Sequence, residues 1–338
     1  MALPKSFSRR LLGGILFGVV VYLGIVLWAD AGEVASAVRR LPLWVLPAAC
    51  VLSLANYAIR FWKWQRYLNL LQIPIHGRAS WLIYLSGFAL SVTPGKLGEV
   101  FKSWLIKGLA GTPIHTSAPI VIAERFTDLL AYLILIALGG IASYPEFQWV
   151  FWLTLAVSGV GLALAGSRAF ARGVARTLKR TPYLWRLSER VEVSFESTRT
   201  LLAPREIVLP TLISVLGWGM ECAGFWLIAN ALGSGAEVPF LAAVFAYALG
   251  AVAGAVLIIF PGGLGMTEFS IGKLLREQYS NSPAQLSLEV ARTQATAAVL
   301  LTRLCTLWFA VVVGLIATSI FRRTFGEVDG EGGGEAEA

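Results

Sequence analysis

Pro94-Gly95-Lys96-Leu97-Gly98-Glu99 closes one apolar run, and Pro261-Gly262-Gly263-Leu264-Gly265, with Glu268 just beyond, closes another in the second half of the chain. Proline removes a backbone donor and glycine loosens a helix, so each motif predicts a break that leaves N–H and C=O groups without partners. Flanking landmarks keep the same offset. The preceding span begins at Leu41 or Ile207, almost equally far ahead of its proline, and an arginine, Arg125 or Arg292, follows each proline at the same spacing. Three matched landmarks predict an internal duplication, against the rival reading that Pro-Gly only kinks two ordinary helices.

Working outward from the breaks, 57% of the 338 residues are hydrophobic and 14% charged, where soluble domains carry about 25% charged residues. Lipid is therefore the expected solvent for much of the chain. Twelve Trp and eighteen Phe suit the aromatic belts of membrane interfaces. A span needs about 20 apolar residues at about 1.5 Å each. Stretches 11–29, 41–59, 120–141, 147–166, 207–232 and 295–321 qualify. Stretch 79–93 is too short and stops at Pro94, while 238–260 runs straight into Pro261. The first stretch follows Lys5, Arg9 and Arg10 and exceeds the roughly 7–15 residues of a signal peptide's apolar region. It is expected to be an uncleaved anchor.

With the N-terminus inside, segments 1–10, 60–78, 102–117, 167–206 and 322–338 hold most of the 28 Lys and Arg residues. This bias predicts a multi-pass protein of the bacterial plasma (inner) membrane with both termini cytoplasmic. The first break then enters from the cytoplasmic side and the second from outside. Two such units form an inverted repeat, and transporters of that kind bind substrate where discontinuous helices meet near the midplane.

The expected fold is thus an all-α polytopic membrane protein, an inverted-repeat helical bundle with about six full spans and two re-entrant helical hairpins. One membrane domain, 1–322, contains repeat A (41–166), repeat B (207–321) and a basic cytoplasmic loop (167–206). A disordered acidic tail, 323–338, follows. The loop includes Arg168, Arg172, Arg176, Lys179 and Arg180, which either attract anionic lipid or simply fix the topology. Arg60, Lys63 and Arg66 are read as an interfacial anchor after the second span.

Ionisable groups inside spans usually face a partner or a cavity. Glu124 and Asp128 share a helical face with Arg125 beside them, and Arg292 and Arg303 share another. Glu221 lies near the middle of its span, Lys96 and Glu99 at the first tip, and Glu268 near the second. One reading is a polar cleft in which Lys96, Arg125 and Arg303 bind a phosphate headgroup while the acids order those cations or exchange protons. The other is a set of internal salt bridges, such as Glu124 or Asp128 with Arg303. The tip residues Pro94, Gly95, Gly98, Pro261, Gly262, Gly263 and Gly265 would offer half-helix N-termini to an anion.

The net charge of +8 could suggest nucleic acid, but its placement between apolar runs argues against such a partner. Cys50, Cys222 and Cys305 sit in apolar runs without metal spacing, and no hydrolase, Walker or dinucleotide motif occurs. No metal, cofactor or enzyme activity is expected.

Pro94-Gly95-Lys96-Leu97-Gly98-Glu99, Glu124-Arg125-Phe126-Thr127-Asp128 and Pro261-Gly262-Gly263-Leu264-Gly265 with Glu268 together resemble the flippase-like membrane region of lysylphosphatidylglycerol synthases. The resemblance is closer to stand-alone bacterial proteins made of that region only, and covers about residues 10–322. It implies lipid translocation through cavities lined by arginines and acids. Full-length synthases also carry a soluble aminoacyl-transfer domain that uses aminoacyl-tRNA. Here a short acidic tail follows Phe321, so that activity is expected to be absent and a lysyl-lipid is not the implied product.

The sequence therefore points to a flippase for a phospholipid or lipid-phosphate. The alternatives are a transporter of small anionic solutes and a non-transporting subunit serving lipid-synthesis enzymes. Expected partners are membrane lipids, anionic ones first, and enzymes of lipid or glycan synthesis.

Overall fold

The computed structural model describes residues 31–92, 98–140, 144–180, 185–256, 263–284 and 286–326, with Gly13, Leu16 and Val20 as isolated positions. The expected anchor span, the tip residues Pro94, Gly95, Lys96, Pro261 and Gly262, and the acidic tail beyond Gly326 lie outside the described residues. Regular structure among the described residues is entirely helical.

The helices are α1 (Ala31–Arg39), α2 (Val45–Leu70), α3 (Gly77–Ser86) with a tighter turn at Gly87–Leu90, and α4 (Gly98–Ala110). After a single turn at Ile114–Ser117 come α5 (Pro119–Leu138), α6 (Gln148–Gly166), α7 (Arg168–Arg180), α8 (Trp185–Leu201) and α9 (Pro204–Leu232). The chain continues through α10 (Phe240–Val256), α11 (Met266–Ser280), α12 (Leu288–Arg303) and α13 (Phe309–Phe325). A π-helical turn, Leu304–Trp308, joins the last two.

Four helical stretches are long and apolar enough to cross a bilayer: Val45–Leu70, Pro145–Gly166, Pro204–Leu232 and Leu288–Phe325. α5, at 20 residues, carries Glu124, Arg125 and Asp128 and so falls short of that composition. Large apolar side chains face outward along these helices, among them Val51, Leu54 and Trp62 on α2, Trp149 and Trp152 on α6, and Leu212 and Leu216 on α9. That is the surface lipid requires, with backbone groups satisfied inside each helix.

The span expected to end at residue 59 runs on to Leu70. Its buried face recurs at Ser53, Asn56, Tyr57, Arg60, Lys63, Trp64 and Tyr67, which is the helical spacing of one stripe. Arg60 and Lys63 continue that stripe and are not an interfacial anchor. They are tolerated inside because carboxylates meet them there, as described below.

α2 and α9, the long helices that open the two proposed repeats, cross at the centre of the bundle. Around them the packing is reciprocal: α3 and its tighter turn lie on α13, while α10 lies on α5. The helix preceding each break thus rests on a late helix of the other half. Glycine permits both approaches. A methyl group on Gly314 would fall 2.2 Å from the Ala89 backbone nitrogen, and one on Gly139 would fall 2.7 Å from that of Phe245.

The basic segment between the halves is not a loop but two helices, α7 and α8, packed on one another. Ala175 is buried between them, Lys179 pairs with Glu192 at 3.2 Å, and Ser194 donates to the His115 carbonyl at 2.8 Å. Arg168, Arg172 and Arg176 lie along α7, where Arg172 and Arg176 are not among the buried side chains.

Candidate functional site

The chain after each break supplies the first elements of the site. In the first half α4 begins at Gly98. Lys102 on this helix is buried, meets Glu124 Oε2 of α5 at 2.5 Å, and lies 4.5 Å from the Trp64 ring of α2. Lys102 therefore belongs to the interior rather than to a cytoplasmic loop. The side chain of Glu99 lies outside the described residues.

In the second half Gly263 and Gly265 adopt φ of +71° and +91°, the left-handed region open to glycine. This turn delivers the chain into α11. Glu268 then accepts the Gly265 N–H at 2.6 Å through one carboxylate oxygen and Arg303 Nε at 2.7 Å through the other. A half-helix N-terminus open to an anion was expected at this tip. Its first turn instead carries the chain's own carboxylate, which satisfies an orphan donor and the helix dipole together.

Next to these pairs lies a cluster centred on Asp128 of α5. Its carboxylate receives Arg60 at 2.6 Å and Lys63 at 2.6 Å from α2, Arg125 at 3.5 Å from its own helix, and the Ser214 hydroxyl of α9 at 2.9 Å. Lys63, fully buried, also donates to Ser214 at 2.7 Å and Thr127 at 3.3 Å, so all three ammonium hydrogens are used. A buried cation is stable only when paired and fully hydrogen-bonded, and here two helices, α5 and α9, supply the partners. The salt bridges anticipated from sequence, Glu124 or Asp128 with Arg303, are replaced by others: Glu124 takes Lys102, Asp128 takes Arg60 and Lys63, and Arg303 takes Glu268.

Between the halves is a cavity of about 150 Å³, polar enough and large enough to hold several waters. Ser91, just before the first break, and Gly263, just after the second, both line it. Three guanidinium groups reach its wall: Arg60 from α2, Arg125 from α5 and Arg303 from α12. Among the described residues one acid, Glu221 of α9, faces them. Tyr57, Phe88, Tyr132, Trp218 and Tyr247 form aromatic walls, and Arg60 sits 4.4 Å over the Trp218 ring. Thr306 and Leu307 enter from the π-helical turn, a helical irregularity that often marks functional sites. Arg60 Nε and Trp218 Nε1 are buried donors with no acceptor among the described residues.

Of the residues singled out from sequence, Arg125, Glu221, Arg303 and Gly263 meet at this cavity. Glu124, Asp128 and Glu268 stand behind its wall as ion-pair partners. Arg292, three helical turns ahead of Arg303 and so about 16 Å along the helix, is not part of the wall. Gly98 opens α4, and Gly265 caps α11. Sequence reasoning missed Arg60 and the aromatic wall. The signal for Arg60 was available: it follows Ser53 and Asn56 at helical spacing, on the face that already carried polar groups.

Comparison with known proteins bears on the whole bundle. The pattern of the family described as "Lysylphosphatidylglycerol synthase TM region" matches residues 15–314. A UPF0104 membrane protein of Methanothermobacter thermautotrophicus is 26% identical, over 93% of this chain and 96% of that protein. A second from the same organism is 23% identical, over 90% and 91%. One from Pyrococcus horikoshii is 22% identical, over 89% and 94%.

Proposed function

The chain belongs to the lysylphosphatidylglycerol synthase TM region family of membrane proteins, and from that premise we propose that it moves an anionic lipid between bilayer leaflets. The cargo is a phospholipid or lipid-phosphate whose headgroup binds in the central cavity. One observation carries the reading: among the described residues, three guanidinium groups and one carboxylate line a cavity that Ser91 and Gly263 also reach. Guanidinium presents fixed donors that match phosphate oxygens. The cavity volume suits a headgroup, leaving the acyl chains in the bilayer.

In this reading, halves 41–166 and 207–321 form an inverted repeat within one membrane domain, 1–322. The breaks are re-entrant hairpins entering from opposite faces, and both termini are cytoplasmic. Packing of α3 on α13 and of α10 on α5, each joining one half to the other, supports this reading. The basic helix α7 suits an anionic cytoplasmic leaflet, at about 1 kcal/mol per Lys or Arg near the surface.

The test is exchange of fluorescent phosphatidylglycerol between leaflets of reconstituted vesicles. The natural chain is expected to accelerate exchange, and Arg303→Ala to abolish most of the acceleration. Equal exchange with both, or none with either, would overturn the reading.

A further inference from the structure

Glu221 has surroundings unlike those of the other buried carboxylates in the bundle. Glu124, Asp128 and Glu268 each touch a basic side chain. Glu221 instead accepts from two neutral donors, the Asn56 amide and the Tyr247 phenol, each at 2.5 Å. Its charged and titratable neighbours come from every helix packed around it: Tyr57 and Arg60 of α2, Tyr132 of α5, Cys222 on α9 itself, Tyr247 of α10 and Arg303 of α12. Arg60 and Arg303 direct their ion pairs to Asp128 and Glu268. Phenols and thiols ordinarily titrate well above neutral pH.

A second observation concerns Asn56, which is fully buried. Its Oδ1 has no donor among the described residues, while its Nδ2 donates to Glu221. This amide can serve either state of the acid. Its N–H groups hold the carboxylate, and by turning over it presents Oδ1 to the hydrogen of a protonated carboxyl. The contact also joins corresponding stretches of the two halves, where α2 and α9 cross.

Resting on the proposed function, we propose that Glu221 takes up one proton when the cavity takes up an anionic headgroup and releases it when the headgroup leaves. Lipid and proton then move in the same direction. The proton comes from water on the entry side, adds to a carboxylate oxygen to give the neutral acid, and returns to water on the exit side. The driving physics is repulsion. A phosphate held by Arg60, Arg125 and Arg303 shares a small cavity with Glu221, and two negative charges there oppose one another. Protonation removes the conflict, and by linkage each event favours the other to the same degree.

The experiment compares the natural chain with Glu221→Gln and Tyr247→Phe in vesicles carrying fluorescent phosphatidylglycerol, whose single charge is constant between about pH 5.5 and about pH 8. Natural exchange is expected to be several-fold faster at the lower pH. The ratio should collapse to near one in Glu221→Gln, while Tyr247→Phe keeps a pH dependence with a displaced midpoint. An indicator dye in weak buffer should report proton uptake when phosphatidylglycerol is added to the natural chain, and none with Glu221→Gln. Uptake driven equally by soluble dimethyl phosphate, whose single charge is likewise constant, and lost in Glu221→Gln would keep the proton step and overturn the lipid reading.

Exchange that depends on Arg303 yet is flat with pH, or equally pH-dependent in Glu221→Gln, overturns the proton step alone. Should Glu221→Gln fail to fold, an unmoved midpoint in Tyr247→Phe overturns it as well. No exchange under any condition overturns both proposals.

Discussion

After the first Pro-Gly break the following helix carries a cation, Lys102, and the next helix its acid, Glu124; after the second break the order is reversed, with Glu268 on α11 and Arg303 on α12. The two pairs do similar local work, tying the helix after a break to the one that follows. They differ in what lies beside them. Lys102 is covered by Trp64 and stays out of the cavity, whereas Arg303 lines it. The first half also holds the Asp128 cluster, where Arg60 and Lys63 fasten α2 to α5 and Ser214 adds α9. Charge in the first half both fastens helices and supplies two of the three guanidinium groups at the cavity, Arg60 and Arg125, while the second half adds Arg303 and the acid Glu221.

The largest effect expected from that contrast is on stability. Asp128→Asn removes the carboxylate that both Arg60 and Lys63 contact and should cost about 3–5 kcal/mol, as breaking a buried pair does. Thermal unfolding in detergent reads this directly. Replacing both members of the Lys102–Glu124 pair by Met and Leu should leave the melting temperature unchanged or higher. A loss as large as that of Asp128→Asn would show that the first pair is more than a helix tie.

Gly314→Ala and Gly139→Ala should each cost about 1–3 kcal/mol by forcing packed backbones apart. They sharpen the comparison because they probe the reciprocal seats of α3 and α10. Loss in one variant and none in the other would count against the proposed equivalence of the halves. In the vesicle assay Arg303→Ala should slow exchange by at least about tenfold, about 1.4 kcal/mol, while its melting temperature falls less than that of Asp128→Asn. The smallest effect belongs to Arg66→Ala. Its pair with Glu206 is partly exposed, so the change should be about 0–1 kcal/mol in the same unfolding experiment.

Much of this arrangement could be read from residue order. The apolar runs located the helices α2, α5, α6, α9 and α12–α13, because a bilayer demands about 20 apolar residues per crossing. The tips of the two expected Pro-Gly breaks lie outside the described residues, while Arg125, Glu221 and Arg303 were legible as charges inside apolar runs. Arg60 was missed although its polar face was legible, whereas Lys63 and Lys102 were not legible, since each stood next to a polar stretch that a composition rule assigns to water. Their burial depends on acids from α5, a helix remote from them in sequence, and one-dimensional patterns carry no such pairing. The partner of Arg303 was missed for the same reason. Glu268 is distant along the chain and meets Arg303 only because the turn at Gly263 and Gly265 aims α11 at α12.

The central claim is that a single cavity between the two breaks receives the headgroup. It is tested most directly by thiol labelling at Ser91→Cys and Thr267→Cys, one from each side of that cavity, with Cys50, Cys222 and Cys305 replaced by Ala. Phosphatidylglycerol is predicted to slow labelling at both positions, and phosphatidylcholine at neither. Labelling that anionic lipid leaves unchanged at both positions, or protects at only one of them, would contradict the account.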